Sequence, residues 1–156
     1  DNVAREVEDD PTYRDVIEAS RRADRQTVAD AIVAAAREIA ETTDVKVICC
    51  YTESGTTALL TARERPKVPI IGMTSLRDTA RRLALTWGVN CVTTGELTRF
   101  KMAVIDAARA AVAQGYAEET DQIVVTAGVP FNVPGTTNIL RIAPCKESLI
   151  YASDPG

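Results

Sequence analysis

The residues with the clearest chemical potential form one short run, Thr52-Glu53-Ser54-Gly55-Thr56-Thr57, between an apolar segment and a helical pattern. Hydroxyl groups, a glycine and the free N–H groups of a helix N-terminus are the donors that hold a phosphate group. The same residue types also cap helices that bind nothing. From these residues alone, a phosphate site and a well-capped helix both remain open. Glu53 is the exception in the run, because a carboxylate repels an anion.

Two further loops carry small or hydroxylated residues directly after apolar segments. One contains Thr74-Ser75, and the other, "GVPFNVPGTTN", contains Gly135, Thr136 and Thr137. Ligands of open α/β sheets collect at the carboxyl ends of the strands, so we expect these loops to close around one anion. The signal is weaker than a Walker loop, since no GxxxxGK[ST] sequence occurs.

Composition excludes several classes of function. The chain has 156 residues, a net charge of −4 and no histidine, which removes Ser-His-Asp and Cys-His catalysis and histidine metal sites. The absence of a basic cluster argues against nucleic acid as a partner, and no apolar run is long enough to span a bilayer. The residues offer no acid–base pair and no metal cluster, so we predict no catalytic residue, metal or cofactor in this chain.

Four cysteines occur without CxxC spacing, mostly in apolar runs. They are best explained as buried free thiols of a protein in the reducing cytoplasm. The single tryptophan, Trp87, is interpreted as a core residue. A set of arginines is interpreted as solvated residues of helix faces, with pairing of one of them to a ligand or a partner subunit as the alternative: Arg63, Arg65, Arg77, Arg81 and Arg82.

Helical and strand patterns alternate along the chain, which predicts a parallel sheet covered by helices on both faces. About eight residues separate the last two strands, too few for a parallel crossover, so the last strand should be antiparallel. The predicted fold is a three-layer α/β/α sandwich with a mostly parallel five-stranded sheet. Predicted helices cover 24–42, 57–64, 76–87 and 97–113, and predicted strands cover 45–52, 68–75, 89–94, 121–129 and 138–145.

Local signals refine these elements. Asp24 is the predicted N-cap of the first long helix and Ser75 that of the helix at 76–87, where Gly88 is the predicted left-handed C-cap. The buried stripe of the long helix should be Val28, Ala31, Ile32, Ala35 and Ile39, which share one face. Residues 1–23 are polar and are predicted to be a connector with a short helix opened by Asp10-Pro11, and residues 24–156 the folded domain.

The ordered motifs resemble the C-terminal domain of bacterial-type pyruvate kinases. "VICCYTESGTTALLTARERPKVPIIGMTSLRDTARRLALTWGV" is similar to the family's T-x-S-G-x-[ST]-A loop, its R-x-R-P segment and its T-A-R helix. "DQIVVTAGVPFNVPGTTNILRI" is similar to the family's G-x-P and G-T-T-N segments. The resemblance covers nearly the whole chain.

This resemblance implies a function that composition cannot supply. Pyruvate kinases transfer phosphate from phosphoenolpyruvate to ADP with Mg²⁺ and K⁺, which are bound in a barrel domain that these residues do not contain. The family's C-terminal domain binds a phosphorylated effector and helps to build a tetramer. Carried over by motif, the effector positions are Thr52, Glu53, Ser54, Gly55, Thr56, Thr57, Gly135, Thr136 and Thr137. The expected role is allosteric, the isolated domain is not expected to be catalytic, and the alternative is a stand-alone phosphometabolite-sensing module.

Glu53 stands where relatives that respond to fructose 1,6-bisphosphate often carry lysine. The repulsion between a carboxylate and one phosphate charge about 6 Å away is roughly 3 kcal/mol at an effective dielectric constant of about 20. The attraction between an anion and a helix N-terminus is smaller, about 0.3–2 kcal/mol. Three outcomes remain open: Glu53 turns outward, the site prefers a monophosphate, or regulation is lost. The favoured partner is a sugar monophosphate or AMP, together with a second copy of the chain.

Overall fold

The computed structural model describes residues 2–21 and 27–153, and in these residues it contains five strands and seven helices. The strands are β1 (Ile48–Tyr51), β2 (Ile70–Thr74), β3 (Val89–Thr93), β4 (Gln122–Gly128) and β5 (Thr137–Pro144). The helices are α1 (Asn2–Asp9), α2 (Pro11–Arg21), α3 (Val28–Thr42), α4 (Thr56–Arg63), α5 (Arg77–Leu83), α6 (Phe100–Ala113) and α7 (Glu147–Ser153).

All five strands form one sheet in the order β3-β2-β1-β4-β5. β1 pairs in parallel with β2 and β4, β2 pairs in parallel with β3, and β5 is antiparallel to β4. The predicted mostly parallel sheet with an antiparallel last strand is confirmed. The loops that follow β1, β2, β3 and β4 therefore open at the same edge of the sheet.

Helices cover both faces of the sheet, which confirms the predicted three layers. Buried residues of α6 and α7 pack on one face, and buried residues of α3, α4 and α5 pack on the other. The buried residues of α6 include Val104, Ile105 and four fully buried alanines, Ala103, Ala107, Ala108 and Ala111. Side chains this small let the helix lie close to the sheet and compensate for the few aromatic residues in the sequence.

The predicted buried stripe of α3 is wrong. Val28, Ala31 and Ala35 are exposed, and Ile32 and Ile39 are only half-buried. The face turned to the protein carries Asp30, Val33, Ala34, Arg37 and Ala40 instead. The apolar periodicity misled because this helix buries two charged residues, whose ion pairs offset the desolvation of their charges.

Arg37 is the centre of that buried charge cluster. Its side chain is 6% exposed and lies 2.9 Å from Glu41 and 3.4 Å from Glu64, which is 2% exposed. Glu18 of α2 approaches the same guanidinium at 3.3 Å. Burial lowers the pKa of Arg37, but Glu41, Glu18 and Glu64 more than offset this effect, so its pKa is raised. The cluster joins α2, α3 and the residue that ends α4.

Helix α3 begins later than expected. Its N-cap is Thr27, which forms a capping box with Asp30: the Thr27 hydroxyl accepts from the Asp30 N–H, and the Asp30 carboxylate accepts from the Thr27 N–H. Asp24, the predicted N-cap, lies outside the described residues. The predicted opening of a short helix is confirmed, since α2 begins at Pro11 and the Asp10 carboxylate accepts from the Thr12 N–H at 2.7 Å.

Three further predictions need correction. Trp87 is 37% exposed rather than a core residue: it stacks on Arg65 at 4.1 Å, and its indole N–H donates to Glu8 of α1 at 2.8 Å. Ser75 does not cap α5, whose N-cap position is Leu76 and has no side-chain cap. α5 ends at Leu83, four residues before the predicted end, although Gly88 has the expected left-handed φ of 68°.

The cysteines are free, and three of the four are buried. Desolvation by burial raises the pKa of the Cys145 thiol to about 11 and raises the pKa of Cys49, Cys50 and Cys91 as well. The interpretation as buried thiols holds for Cys49, Cys50 and Cys145, while Cys91 on edge strand β3 is half-buried. Within the described residues, no helix combines the length and apolar character that a membrane span requires.

We predict that Arg37→Met lowers the free energy of unfolding by about 3–5 kcal/mol, because it removes the buried cation that faces the carboxylates of Glu41 and Glu64. Urea unfolding followed by circular dichroism measures this loss. Glu38→Gln is the matched control, since Glu38 contacts the same guanidinium only at 3.9 Å from an exposed position. The double variant Arg37→Met/Glu64→Met should recover much of the loss, and equal effects of Arg37→Met and Glu38→Gln would contradict the analysis.

Candidate functional site

The loop between β1 and α4 is held in a tight turn by Thr52 and Gly55. The Thr52 hydroxyl accepts from the Gly55 N–H at 2.8 Å. Gly55 has a φ of 91°, a left-handed conformation that favours glycine. An added Cβ there would also lie 3.4 Å from the side chain of Leu83 on α5. The turn brings the N–H groups at the start of α4 to the carboxyl edge of the sheet.

The hydroxyl groups of this loop make two kinds of hydrogen bond, local ones within the loop and one to a distant segment. Ser54 and Thr56 share a hydrogen bond at 2.9 Å, and the Ser54 hydroxyl accepts from the Thr56 N–H at 3.3 Å. These contacts belong to local capping. Thr57 is different, because its buried hydroxyl shares a hydrogen bond of 2.5 Å with the hydroxyl of Thr137, 80 residues further along the chain. Capping therefore explains only part of the run.

The two loops predicted to converge border one cavity. Its volume is about 40 Å³, and it is lined on one side by Thr52, Glu53, Ser54 and Thr57 and on the other by Gly135, Thr136 and Thr137. The rest of its wall is formed by Tyr51, Thr94, Gly95, Leu97, Gly128 and residues 131–134. A volume of this size holds roughly three water molecules, or one compact anion such as a phosphate group.

Two of the predicted residues do not line this small cavity. Gly55 is buried beneath the loop, where it packs on α5. Thr56 instead faces a broader cleft of about 570 Å³, which it shares with Gly135, Thr136 and Thr137. Thr27, Asp30 and Arg63 lie on the far side of that cleft. The site is thus a small cavity that shares one wall with a larger cleft.

Asn138 and Gly128 fix the loop between β4 and β5, and sequence reasoning included both in the loop but missed this role. The Asn138 side-chain amide donates to the Val129 carbonyl at 2.7 Å and accepts from the Val129 N–H at 2.9 Å. At Gly128, an added Cβ would lie 2.6–2.8 Å from atoms of Thr136. The asparagine that follows Gly-Thr-Thr was a usable signal, because its side chain can close a loop by bonding the backbone.

Sequence reasoning also missed the arrangement of charges around the first loop. Both carboxylate oxygens of Glu53 accept from the Ser75 hydroxyl at 3.1 Å, and the Glu53 carbonyl accepts from Thr79 at 2.7 Å. Arg82 of α5 donates to the Ser54 carbonyl at 3.2 Å. No local pattern announces these contacts, since they join residues 22–28 positions apart.

The comparisons with known proteins agree with this fold. The family described as "Pyruvate kinase, alpha/beta domain" matches residues 30–143. The chain belongs to this family. A pyruvate kinase of Methylorubrum extorquens is 40% identical over 141 residues, which is 90% of this chain and 30% of that protein. A pyruvate kinase of Agrobacterium vitis is 40% identical over 130 residues, 83% of this chain and 27% of that protein.

Solved structures of the family share the fold. A crystal structure of a pyruvate kinase from Cryptosporidium parvum superposes with a TM-score of 0.69 at 28% identity, covering 77% of this chain and 23% of that one. The Cryptosporidium parvum enzyme in complex with ADP gives a TM-score of 0.70 at 29% identity, covering 77% and 24%. The chain spans less than a third of the length of these relatives, so it corresponds to one domain of a pyruvate kinase.

We predict that Gly128→Ala displaces Thr136 and lowers the free energy of unfolding by about 1–3 kcal/mol, because its methyl group has no room against the Thr136 carbonyl. Thermal unfolding and amide chemical shifts of Gly135 and Thr136 measure the two effects. Gly95→Ala is the control on the same rim, where an added Cβ meets nothing within 4 Å. Unchanged shifts of Gly135 and Thr136 in Gly128→Ala would show that the close approach does not hold this loop.

Proposed function

We propose that this chain is the effector-binding and subunit-contact domain of a cytoplasmic, allosterically regulated pyruvate kinase. The observation that carries the proposal is the convergence of the 52–57 loop and the 135–137 segment on one small cavity. The whole enzyme transfers phosphate from phosphoenolpyruvate to ADP and forms pyruvate and ATP. Its catalytic groups, with Mg²⁺ and K⁺, belong to a separate barrel domain, and the domain described here is not catalytic alone.

The effector is a sugar monophosphate or AMP rather than fructose 1,6-bisphosphate. Three features support this choice. The cavity of about 40 Å³ has room for one phosphate group, and the adjoining cleft of about 570 Å³ has room for a sugar or nucleoside. Glu53 lines the cavity and disfavours a second dianionic group beside the first.

We expect isothermal titration calorimetry to detect binding of glucose 6-phosphate, ribose 5-phosphate or AMP to the domain. Ser54→Ala should weaken that binding about tenfold or more, since hydrogen bonds to charged groups are worth about 1.5–3 kcal/mol. Ser148→Ala on α7, far from the cavity, is the control and should leave binding unchanged. Absence of heat for all three compounds with the unaltered domain would end the effector proposal.

The subunit contact of the proposed enzyme uses α3 and β5. β5 is one of the two edge strands of the sheet, and α3 packs beside it. On this side, Ile142 is 43% exposed, and the apolar residues Val28, Ala31 and Ala35 of α3 are exposed as well. An edge strand beside an apolar helix face suits pairing with a second copy of the same surface by a two-fold axis.

Ile142→Glu should therefore shift the domain towards monomer, because the charge would be buried at the contact. Sedimentation equilibrium over a range of protein concentrations measures the change. Leu85→Glu introduces the same charge at a residue that is 93% exposed after α5, which packs beside β2 and β3 towards the opposite edge of the sheet, and should have no effect. Equal weakening by both substitutions, or a monomeric unaltered domain, would contradict a contact through β5.

A further inference from the structure

The small cavity has an unfavourable charge for the ligand proposed above. Among the described residues that line it, Glu53 is the sole charged group, and the others supply hydroxyls, the side-chain amide of Asn132, backbone or apolar surface. Hydroxyl and amide donors can orient a phosphate, but a negative charge beside them opposes binding. A cation close to the loop would resolve this conflict, and it must come from outside the lining.

Ser75 fixes the position of the negatively charged Glu53 carboxylate. Its hydroxyl contacts both oxygens of the Glu53 carboxylate, and Thr79 holds the Glu53 carbonyl. Both partners belong to the segment that follows β2, on the side of the loop opposite the 135–137 segment. These contacts tie the carboxylate to Ser75 and the backbone of Glu53 to α5, on the β2 side of the loop.

Arg82 brings a positive charge to the same loop. Its Nη2 donates to the Ser54 carbonyl and to the Thr79 hydroxyl, each at 3.2 Å. A guanidinium has five N–H donors in a rigid fork. Both contacts use Nη2, and no residue that the structure describes is hydrogen-bonded to Nε or Nη1 of Arg82. These N–H groups can therefore donate to an anion beside the loop.

We infer that Arg82 supplies the cation for a phosphate monoester at this cavity, and that Ser75 prevents Glu53 from cancelling it. This inference rests on the proposed effector function and names the residues that give the site its charge selectivity. The cation comes from α5 instead of the effector loop itself, where Glu53 occupies the position after Thr52.

Other arginines nearby do not fit this role as well. Arg63 is engaged by Asp30 at 2.6 Å across the larger cleft. Arg81, the neighbour of Arg82 in sequence, approaches Asp78 at 3.7 Å and is largely exposed. Arg82 alone of these three contacts the backbone of the 52–57 loop.

Calorimetric titration of the domain with glucose 6-phosphate and with AMP tests the inference. Arg82→Gln should weaken binding about three- to tenfold, as expected for a partly exposed charge-assisted contact. Arg81→Gln removes the same charge from the next residue and should leave affinity nearly unchanged. The salt dependence of binding should also fall in Arg82→Gln, which a purely structural effect on the loop would not cause.

Ser75→Ala should also weaken binding, because it releases Glu53 towards the phosphate. Glu53→Gln should abolish the effect of Ser75→Ala when the two are combined, and the double-mutant cycle measures this coupling. If the unaltered domain binds neither compound, the proposed function fails and this inference with it. If the unaltered domain binds but Arg82→Gln and Arg81→Gln behave alike, the effector function stands and the role of Arg82 is wrong.

Discussion

A hydrogen bond between two buried threonine hydroxyls, Thr57 and Thr137, holds the candidate site together. One belongs to the first turn of α4 and the other begins β5, so this contact fixes two segments that are remote in sequence against each other. A buried hydroxyl without a partner costs about 1–3 kcal/mol, and each of these groups satisfies the other. The cavity, the loop that Asn138 closes and the contacts of Gly128 with Thr136 all depend on this alignment.

The order and direction of the strands could be predicted from the sequence because they follow from long-range rules. Apolar runs separated by helical patterns require a parallel sheet, and the short link before Thr137 requires an antiparallel last strand. The face of α3 could not be predicted in the same way. The apolar pattern assigns only apolar residues to the core and does not predict the ion pair between Arg37 and Glu64. That pair forms only when α3 and α4 have packed together.

The candidate site, like the fold, could be predicted from the sequence only in part. The residue types in the 52–57 run and at Gly135, Thr136 and Thr137 were enough to predict that the two segments would meet, because strand ends in a parallel sheet share one edge. The orientation of Glu53 was left open, since it depends on Ser75, which was assigned to a helix cap instead. Trp87 was misassigned for a related reason: its partners, Arg65 and Glu8, come from distant parts of the chain.

The alanines that α6 presses against the sheet have a consequence for how this domain can diverge. Ala103, Ala107, Ala108 and Ala111 have no exposed surface, so any larger side chain there would force the helix off the strands. The buried interface between α6 and the sheet therefore tolerates few substitutions. Apart from Gly55 and Gly128, the rim loops and the outer side of α5 bear no such restriction, and a lineage can acquire a different ligand preference there while the packed interior stays unaltered.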